Sequence, residues 1–553
     1  MARKKFRFDF WFIVTIAAFG AIALFLIYPM SSLFINGFQD PATGSFSLMH
    51  FRRFATGGNG FFRITLQRSM AVSIWTMALS TVLGVTMAYL TTAFRVRGRK
   101  ALDVLIIISM LSPPFLGAYS WILLAGRNGY LARFFRNTFD IVLPSIYGFG
   151  GILLVMTLST FPLVYLLSRG ALRKVDTSLI EASESLGCAP FKKVATLILP
   201  LITPSILAAA LLAFMDAFTD FGTPMLLGQG YMVMPVLIFN EFLSEIGGHP
   251  NFAASMAMIM VLIVAALFSL QKYIVNRKSF KMSSMRPIQA KPLKGPLNAV
   301  MHIFVYVVVA FVSIPQTVVF YTSFRATRGP IFVPGLSFDS YTRIFRTLGT
   351  AIRNTYVYGL IAVGIILFAA LLLSYLTVRR KNWLTSILDT VAMLPFVIPG
   401  SVIGIILILA FNTRPILLVG TSYIMILAFV IRRLPYTLRS SSAILHQINP
   451  NMEEAAISLG DNPAKAFFKI TAILMLPGVI SGLILSWITI INEISSTILL
   501  FTTRTRTMTV AIFHEIMRDG LGAAAALATI LTASTVISLI IFFKLTGKTE
   551  INV

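Results

Sequence analysis

The chain is 553 residues long, 57% hydrophobic and only 12% charged, with a mean hydropathy of +0.84. A soluble protein carries roughly 25% charged residues, so an ordinary soluble domain is excluded. The net charge of +26 sits in short Lys/Arg runs between long apolar stretches, which is a membrane topology signal and not a nucleic-acid surface. Cys188 is the single cysteine, so no intrachain disulfide or cysteine metal cluster forms. His50, His249, His302, His446 and His514 show no metal-ligand spacing.

A helix crosses a ~30 Å hydrocarbon core in about 20 residues, and by that measure the sequence predicts about twelve spans. The chain opens on Met1-Ala-Arg-Lys-Lys-Phe-Arg7 and an apolar run near 11–35, too long for a signal peptide and taken as an uncleaved first span. Further spans are expected near 68–93, 101–124, 149–168, 197–219 and 254–274. A basic, proline-bearing stretch follows at 275–297, containing Arg277, Lys278, Lys281 and Pro287. It is expected to be a cytoplasmic linker with little structure of its own. The second half has spans near 298–320, 354–378, 384–411, 417–434, 472–491 and 521–545. Pro113-Pro114 and Pro395/Pro399 interrupt the third and ninth spans, which is tolerated where neighbours satisfy the freed carbonyls. Arg95, Arg97, Arg99 and Lys100, with Arg379, Arg380 and Lys381, mark the cytoplasmic side and place both termini there. Arg127, Arg133, Arg136, Arg343 and Arg346 fall on the outside, against that trend.

The halves repeat one another. Glu181-Ala-Ser-Glu-Ser-Leu-Gly187-Cys-Ala-Pro190 returns as Glu454-Ala-Ala-Ile-Ser-Leu-Gly460-Asp-Asn-Pro463, with 273 positions from 181 to 454. At that offset Pro162 falls on Pro435 and Pro204 on Pro477. Nearer the front the offset is 286, from Pro29 to Pro315 and from Tyr89 to Tyr375. The 13 positions lost in between belong in the outer loop near 125–148, because loops absorb length changes. The expected fold is an all-α integral membrane protein of two tandem six-helix units. Its domains are 1–274 (core about 64–272) and 298–553 (core about 350–546). They are related by a parallel repeat about an axis along the membrane normal.

The repeated cytoplasmic stretch reads as a helix, a sharp turn and a second short helix. Gly187 and Gly460 suit the left-handed residue that ends a helix. Asp461-Asn462-Pro463 supplies an N-cap and a proline for the next first turn. Glu181, Ala182, Gly187 and Pro190, with Glu454, Ala455, Ala456, Gly460 and Pro463, resemble the cytoplasmic signature of bacterial ABC importer permeases. In that family the loop is a coupling helix seated on the ATPase. Copy one departs at Ser183. Leu199-Pro200 matches the family's downstream Leu-Pro, whereas Ile473 stands at the second proline position. Asp220-Phe-Gly-Thr-Pro-Met-Leu-Leu-Gly228 and Asn492-Glu-Ile-Ser-Ser-Thr-Ile-Leu-Leu500 are similar to segments of fused ferric-iron importer permeases. Permeases for phosphonate, thiamine, polyamine or sugar phosphate are the alternatives.

The resemblance implies a translocation subunit and not an enzyme, in the bacterial inner membrane. Two copies of an ABC ATPase would bind and hydrolyse ATP, and an extracytoplasmic solute-binding protein would deliver the solute. No phosphate-binding loop is present; Gly547-Lys548-Thr549 lacks the earlier glycine. The chain itself is expected to hold no cofactor or metal. Intramembrane polar residues make Asp216, Asp220, Asn492 and Glu493 path candidates, with Pro113 and Pro114 as kinks beside them. Asp220 and Glu493 are equivalent in the repeat. The bland alternative is a pair of solvated helix ends at the outer interface. A secondary transporter and a channel are the readings from other classes.

Overall fold

The computed structural model describes residues 10–244, 249–278, 286, 288–329 and 331–546. The basic N-terminus, Lys281, Pro287 and Gly547-Lys548-Thr549 lie outside the described residues. Long apolar runs become long helices because hydrocarbon leaves backbone N–H and C=O groups no partner except each other. Among the described residues, nine helices are long and apolar enough to cross a membrane, and two bent pairs raise the number to eleven. The pairs are Arg99–Leu111 with Pro114–Phe139, bent by 100°, and Trp383–Val397 with Gly400–Phe411, bent by 115°. Each bend falls at a proline placed by the sequence, Pro113-Pro114 or Pro399.

The span expected near 417–434 is displaced. Its helix runs Ser422–Leu445, so Arg432 and Arg433 lie well inside it and not at its edge. Those arginines, with Arg439, keep this helix out of the apolar set despite its 24 residues. The fold is also not purely helical, since Arg325–Arg328 and Ile331–Leu336 pair as an antiparallel hairpin.

The repeat is visible in hydrogen bonds. The N–H that opens helix Met234–Leu243 donates to Ser69 Oγ at 2.7 Å, and Met508 N–H, opening Met508–Met517, donates to Thr355 Oγ1 at 2.7 Å. A buried hydrogen bond of this kind contributes about 1 kcal/mol. The length difference lies in the loop near 125–148 that was expected to absorb it. There are 23 residues between Ala125 and Phe149 but 10 between Phe411 and Ser422, and the longer loop holds helix Tyr130–Phe139.

The first helix of each half packs on the other half. Tyr28–Phe38 lies against Gly400–Phe411, with Tyr28 Oη donating to Ala410 O at 3.2 Å. Pro296–Ser323 lies against Pro114–Ala125, with Ser120 Oγ donating to Pro315 O at 2.8 Å. This exchange knits the halves, and one apolar core runs through both. The linker is more ordered than its composition implies. Its ends, 275–278 and 296–297, continue the flanking helices; between them the described residues 286 and 288–295 have no helix, but Lys291 pairs with Phe94 as a parallel bridge, and Ile288 and Leu293 pack on the first half.

Candidate coupling elbows and ionic centre

The two elbows recur at equivalent points of the repeat. The first is Thr177–Ser185 followed by Pro190–Lys193, and the second is Asn451–Ser458 followed by Pro463–Ala466. Each first helix closes with the same paired bonds. Gly187 N–H donates to Glu184 O at 2.9 Å and Cys188 N–H to Ser183 O at 3.0 Å. Gly460 N–H donates to Ile457 O at 3.0 Å and Asp461 N–H to Ala456 O at 3.1 Å. This is a Schellman closure, which needs a left-handed residue, and Gly187 and Gly460 have φ of +74° and +99°. A side chain there would meet nothing within 4 Å, so the constraint is backbone conformation and not space.

Pro190 and Pro463 open the second short helices, where the missing N–H is no loss. Asn462 Oδ1 accepts from Lys465 N–H at 2.7 Å. The chain then enters the membrane through a π-helical turn, Val194–Ile198 in one copy and Phe467–Thr471 in the other. The turns coincide at offset 273 although Pro200 follows only the first, so the second exit does not depend on the missing proline.

Glu181, Ala182, Glu454 and Ala455 are exposed, whereas Ala456 faces inward. The residues that sequence reasoning missed are Leu186 and Leu459. They are 88% and 90% exposed, at equivalent positions just before the turning glycine. A leucine repeated at the tip of two polar turns was the available signal. Glu184 pairs with Lys193 and, at 3.6 Å, with Lys291 of the linker. The Lys193 hydrogen bond leads in holding the Glu184 carboxyl below its usual range. Asp461 is likewise held low, led by the Lys465 hydrogen bond.

Deeper in the membrane, the structure gathers the residues where helices break. Helix Leu199–Thr219 ends at Asp220, whose Oδ2 accepts from Thr223 N–H at 2.9 Å. A side chain on Gly222 would sit 2.8 Å from Phe115 Cβ and 3.7 Å from Ile494, so this break abuts the other two. Asn492 is committed: its Nδ2 donates at 2.8 Å to Leu111 O, the carbonyl left at the end of Arg99–Leu111 before Pro113. A neighbour thus satisfies the freed carbonyl. The small cavity beside Pro113 and Pro114 is also lined by Ser112, Gln316 and Thr532, and its lining includes none of Asp216, Asp220 and Glu493.

Glu493 corrects the solvated-end alternative. It is only 4% exposed. Arg432 Nη1 donates to its Oε1 at 2.7 Å, Arg433 Nη2 donates to its Oε2, and Ser496 N–H adds a third bond at 3.2 Å. Burying a carboxylate is tolerated only with such pairing. Gly400 leaves the space for this, since a Cβ there would fall 1.4 Å from Arg432 Nη1. Asp216 remains exposed although its helix neighbours Met215 and Ala217 are buried. At offset 273 the arginine pair replaces Ser159-Thr160, a break in the repeat that would have flagged them.

The sequence matches the profile described as "Binding-protein-dependent transport system inner membrane component" over residues 80–280 and 362–548. It is 27% identical over 543 residues to the ferric transport system permease protein FbpB of Actinobacillus pleuropneumoniae, covering 96% of this chain and 77% of that one. A putative ferric transport system permease protein, FbpB 1 of Haemophilus influenzae, is 27% identical over 494 residues, covering 88% and 77%. The putative 2-aminoethylphosphonate transport system permease protein PhnU of Salmonella typhi is 23% identical over 261 residues, covering 46% of this chain and 89% of that one. Two profile matches, each spanning one elbow and its flanking helices, account for the repeat: the chain belongs to the family of binding-protein-dependent transport system inner membrane components, the permeases of ABC importers.

Proposed function

We propose that this chain carries ferric iron, delivered by an extracytoplasmic binding protein, through a path driven by two copies of a separate ATPase. The ferric choice is supported by the extent of similarity: the ferric relatives align over most of the chain and the phosphonate relative over 46% of it. The observation that carries the coupling role is the matched pair of tips, with the same turn closure and an exposed leucine in each. Each ATPase takes one elbow through Glu181, Ala182, Gly187 and Pro190, or Glu454, Ala455, Ala456, Gly460 and Pro463, with Leu186 or Leu459 entering an apolar recess. Linking two docking points raises the effective concentration of the second.

In this reading Ser422–Leu445 is the remaining span. The chain then has twelve spans in two six-helix units, 1–274 and 298–553, joined by the linker 275–297, with both termini cytoplasmic. Asp216 and Asp220 line the path beside Asn492 and the Pro113-Pro114 bend, and Glu493 with its arginines forms the wall.

Reconstitution in nanodiscs tests this. The chain alone is expected to show no ATP hydrolysis, and the assembled importer to show hydrolysis stimulated by the loaded binding protein. Glu181→Ala or Glu454→Ala alone lowers the stimulated rate, and the double change abolishes it. A double variant with full stimulated activity sinks the elbow reading. Uptake of labelled 2-aminoethylphosphonate but not Fe3+ by proteoliposomes sinks the ferric one.

A further inference from the structure

The face opposite the elbows has an unexplained charge pattern. The segments that reach it, 39–60, 126–148, 220–244, 324–329, 331–348, 412–421 and 492–520, contain no lysine, and all but 220–244 contain arginine, whereas lysines accompany arginines on the elbow face. Topology favours few bases on that side, so those retained need another reason. Arginine without lysine is the composition of a protein contact surface, because guanidinium is weakly hydrated and grips a carboxylate with two parallel bonds.

Three of these arginines, with Arg68 of helix Phe61–Ala93, gather at one structural feature, the loop that precedes helix Met234–Leu243 in one half and Met508–Met517 in the other. In the first half Arg68 lies over the Tyr231 ring at 5.0 Å, and its Nη1 donates to Gly230 O at 3.3 Å. Arg127 joins it over Tyr147, its Nη2 reaching Gln229 Oε1 at 3.4 Å. In the second half the roles are exchanged. Asn354 stands in place of Arg68 and donates to Arg504 O at 2.9 Å and Arg506 O at 3.0 Å. The loop itself now carries the guanidinium groups, with Arg504 in place of Gly230. Both loop tips therefore hold positive charge, supplied by the helix and the neighbouring loop in one half and by the return loop in the other. The second loop is fixed, since Thr502 N–H donates to Thr505 Oγ1 at 2.8 Å. Arg504 and Arg127 are exposed, and Arg506 Nε is buried with no hydrogen-bond partner. Among the described residues none of the four is in an ion pair with a carboxylate.

We infer that Arg68 and Arg127 in one half and Arg504 and Arg506 in the other form a paired docking site for surface carboxylates of the solute-delivering protein. The inference rests on the importer reading above and adds the chemistry of the contact. A soluble protein fits better than anionic lipid. The second loop joins helices Thr497–Leu500 and Met508–Met517, which are buried almost throughout, so its tip rises from the interior of the bundle and not from its lipid rim. Lipid phosphate would also be served by lysine.

The test uses the assembled importer in nanodiscs, with its purified Fe3+-loaded binding protein as one probe and a hexaglutamate peptide as the other. Arg504→Gln with Arg506→Gln is expected to weaken binding of both probes about tenfold and to flatten the salt dependence of binding. The lysine versions recover only part of the affinity. Arg68→Gln with Arg127→Gln acts in the same direction. ATPase assembly and basal hydrolysis stay at wild-type levels in every variant. Loss of those would instead indict the importer reading. Unchanged affinity for both probes overturns the docking site. So does unchanged affinity accompanied by an altered response to the phosphatidylglycerol content of the nanodisc, which assigns the arginines to lipid.

Discussion

At the first elbow the inward-facing position of the helix is Ile180, packed with Ile198 among Met87 and Tyr165. At the second elbow the same positions hold Glu453 and Thr471. There Glu453 accepts from Thr471 Oγ1 at 2.7 Å and from Tyr375 Oη, while Trp11 and Phe467 cover the tyrosine ring. The turn before each elbow differs as well. Arg379 Nη2 donates to Ile448 O at 2.5 Å in the second half. In the first, the linker does this work: Lys291 N–H donates to Ala93 O, at the position equivalent to Arg379, and Thr177 N–H donates to Arg286 O, both at 2.9 Å. The tips stay alike in backbone closure and exposed leucine while the roots diverge in chemistry. A root needs only to hold its helix, and an apolar contact or a satisfied polar one does that equally well. A tip has to fit a partner.

The largest expected effect separates Asp103 from Asp389, which are equivalent at offset 286. Asp103 Oδ1 accepts at 2.6 Å from both Arg169 Nη1 and Tyr165 Oη, and the Arg169 side chain is 7% exposed. Asp103→Ala is expected to cost about 3 kcal/mol, because the mostly buried Arg169 and Tyr165 both lose the charged acceptor they share. Asp389 meets Arg439 at 3.5 Å with that arginine side chain 57% exposed, so Asp389→Ala should cost less than about 1 kcal/mol. Thermal unfolding in detergent measures both. Equal shifts would mean that the two roots are energetically interchangeable.

Transplanting one root into the other sharpens the comparison. Glu453→Ile alone leaves Thr471 and Tyr375 hydroxyls without their acceptor and should cost about 2 kcal/mol. Adding Thr471→Ile recreates the Ile180/Ile198 pair and is expected to recover at least half of that loss. No recovery would show that the polar root is specific to its site. Gly187→Ala and Gly460→Ala come next, at roughly 1 kcal/mol each from the left-handed backbone alone. They should match, since neither site has a neighbour to clash with. A mismatch would mean that the tips differ more than their geometry says.

The apolar runs, the proline bends, the turning glycines and the repeat offset were legible because each is a local property of the sequence. Glu453 was not, because it stands beside Glu454 and on so short a helix no periodicity separates the inward acid from the outward one. The Arg432/Arg433–Glu493 bridge joins residues about 60 positions apart, and arginines near a span's edge look like topology signals until the helix is seen to run on past them. The linker's order was hidden too, since its contacts are mainly backbone bonds that composition does not record. The crossing of each first helix onto the opposite half leaves no trace in hydropathy at all.

The smallest effect concerns pH. Glu184 and Asp461 both have carboxyls held below their usual range, chiefly by hydrogen bonds from Lys193 and Lys465. A depressed carboxyl pKa adds stability that is fully present above the unfolded value, about 4 for either residue. That stability is lost as the pH falls through the lower folded value. The elbow exits should therefore be indifferent to pH between about 8 and 5 and loosen only below about pH 4. Both groups are solvent-screened, so the change is small and added salt shrinks it. Each carboxyl has a second lysine at similar range, Lys291 of the linker at 3.6 Å from Glu184 and Lys469 of the exit turn at 3.5 Å from Asp461. Hydrogen exchange at Gly187 and Gly460, followed from pH 5 toward pH 3, should thus show the two tips opening over the same range. Lys291→Gln is expected to raise the opening pH of the first tip alone and Lys469→Gln that of the second alone, and a first tip unmoved by Lys291→Gln would remove the linker from the account of how the first elbow is held.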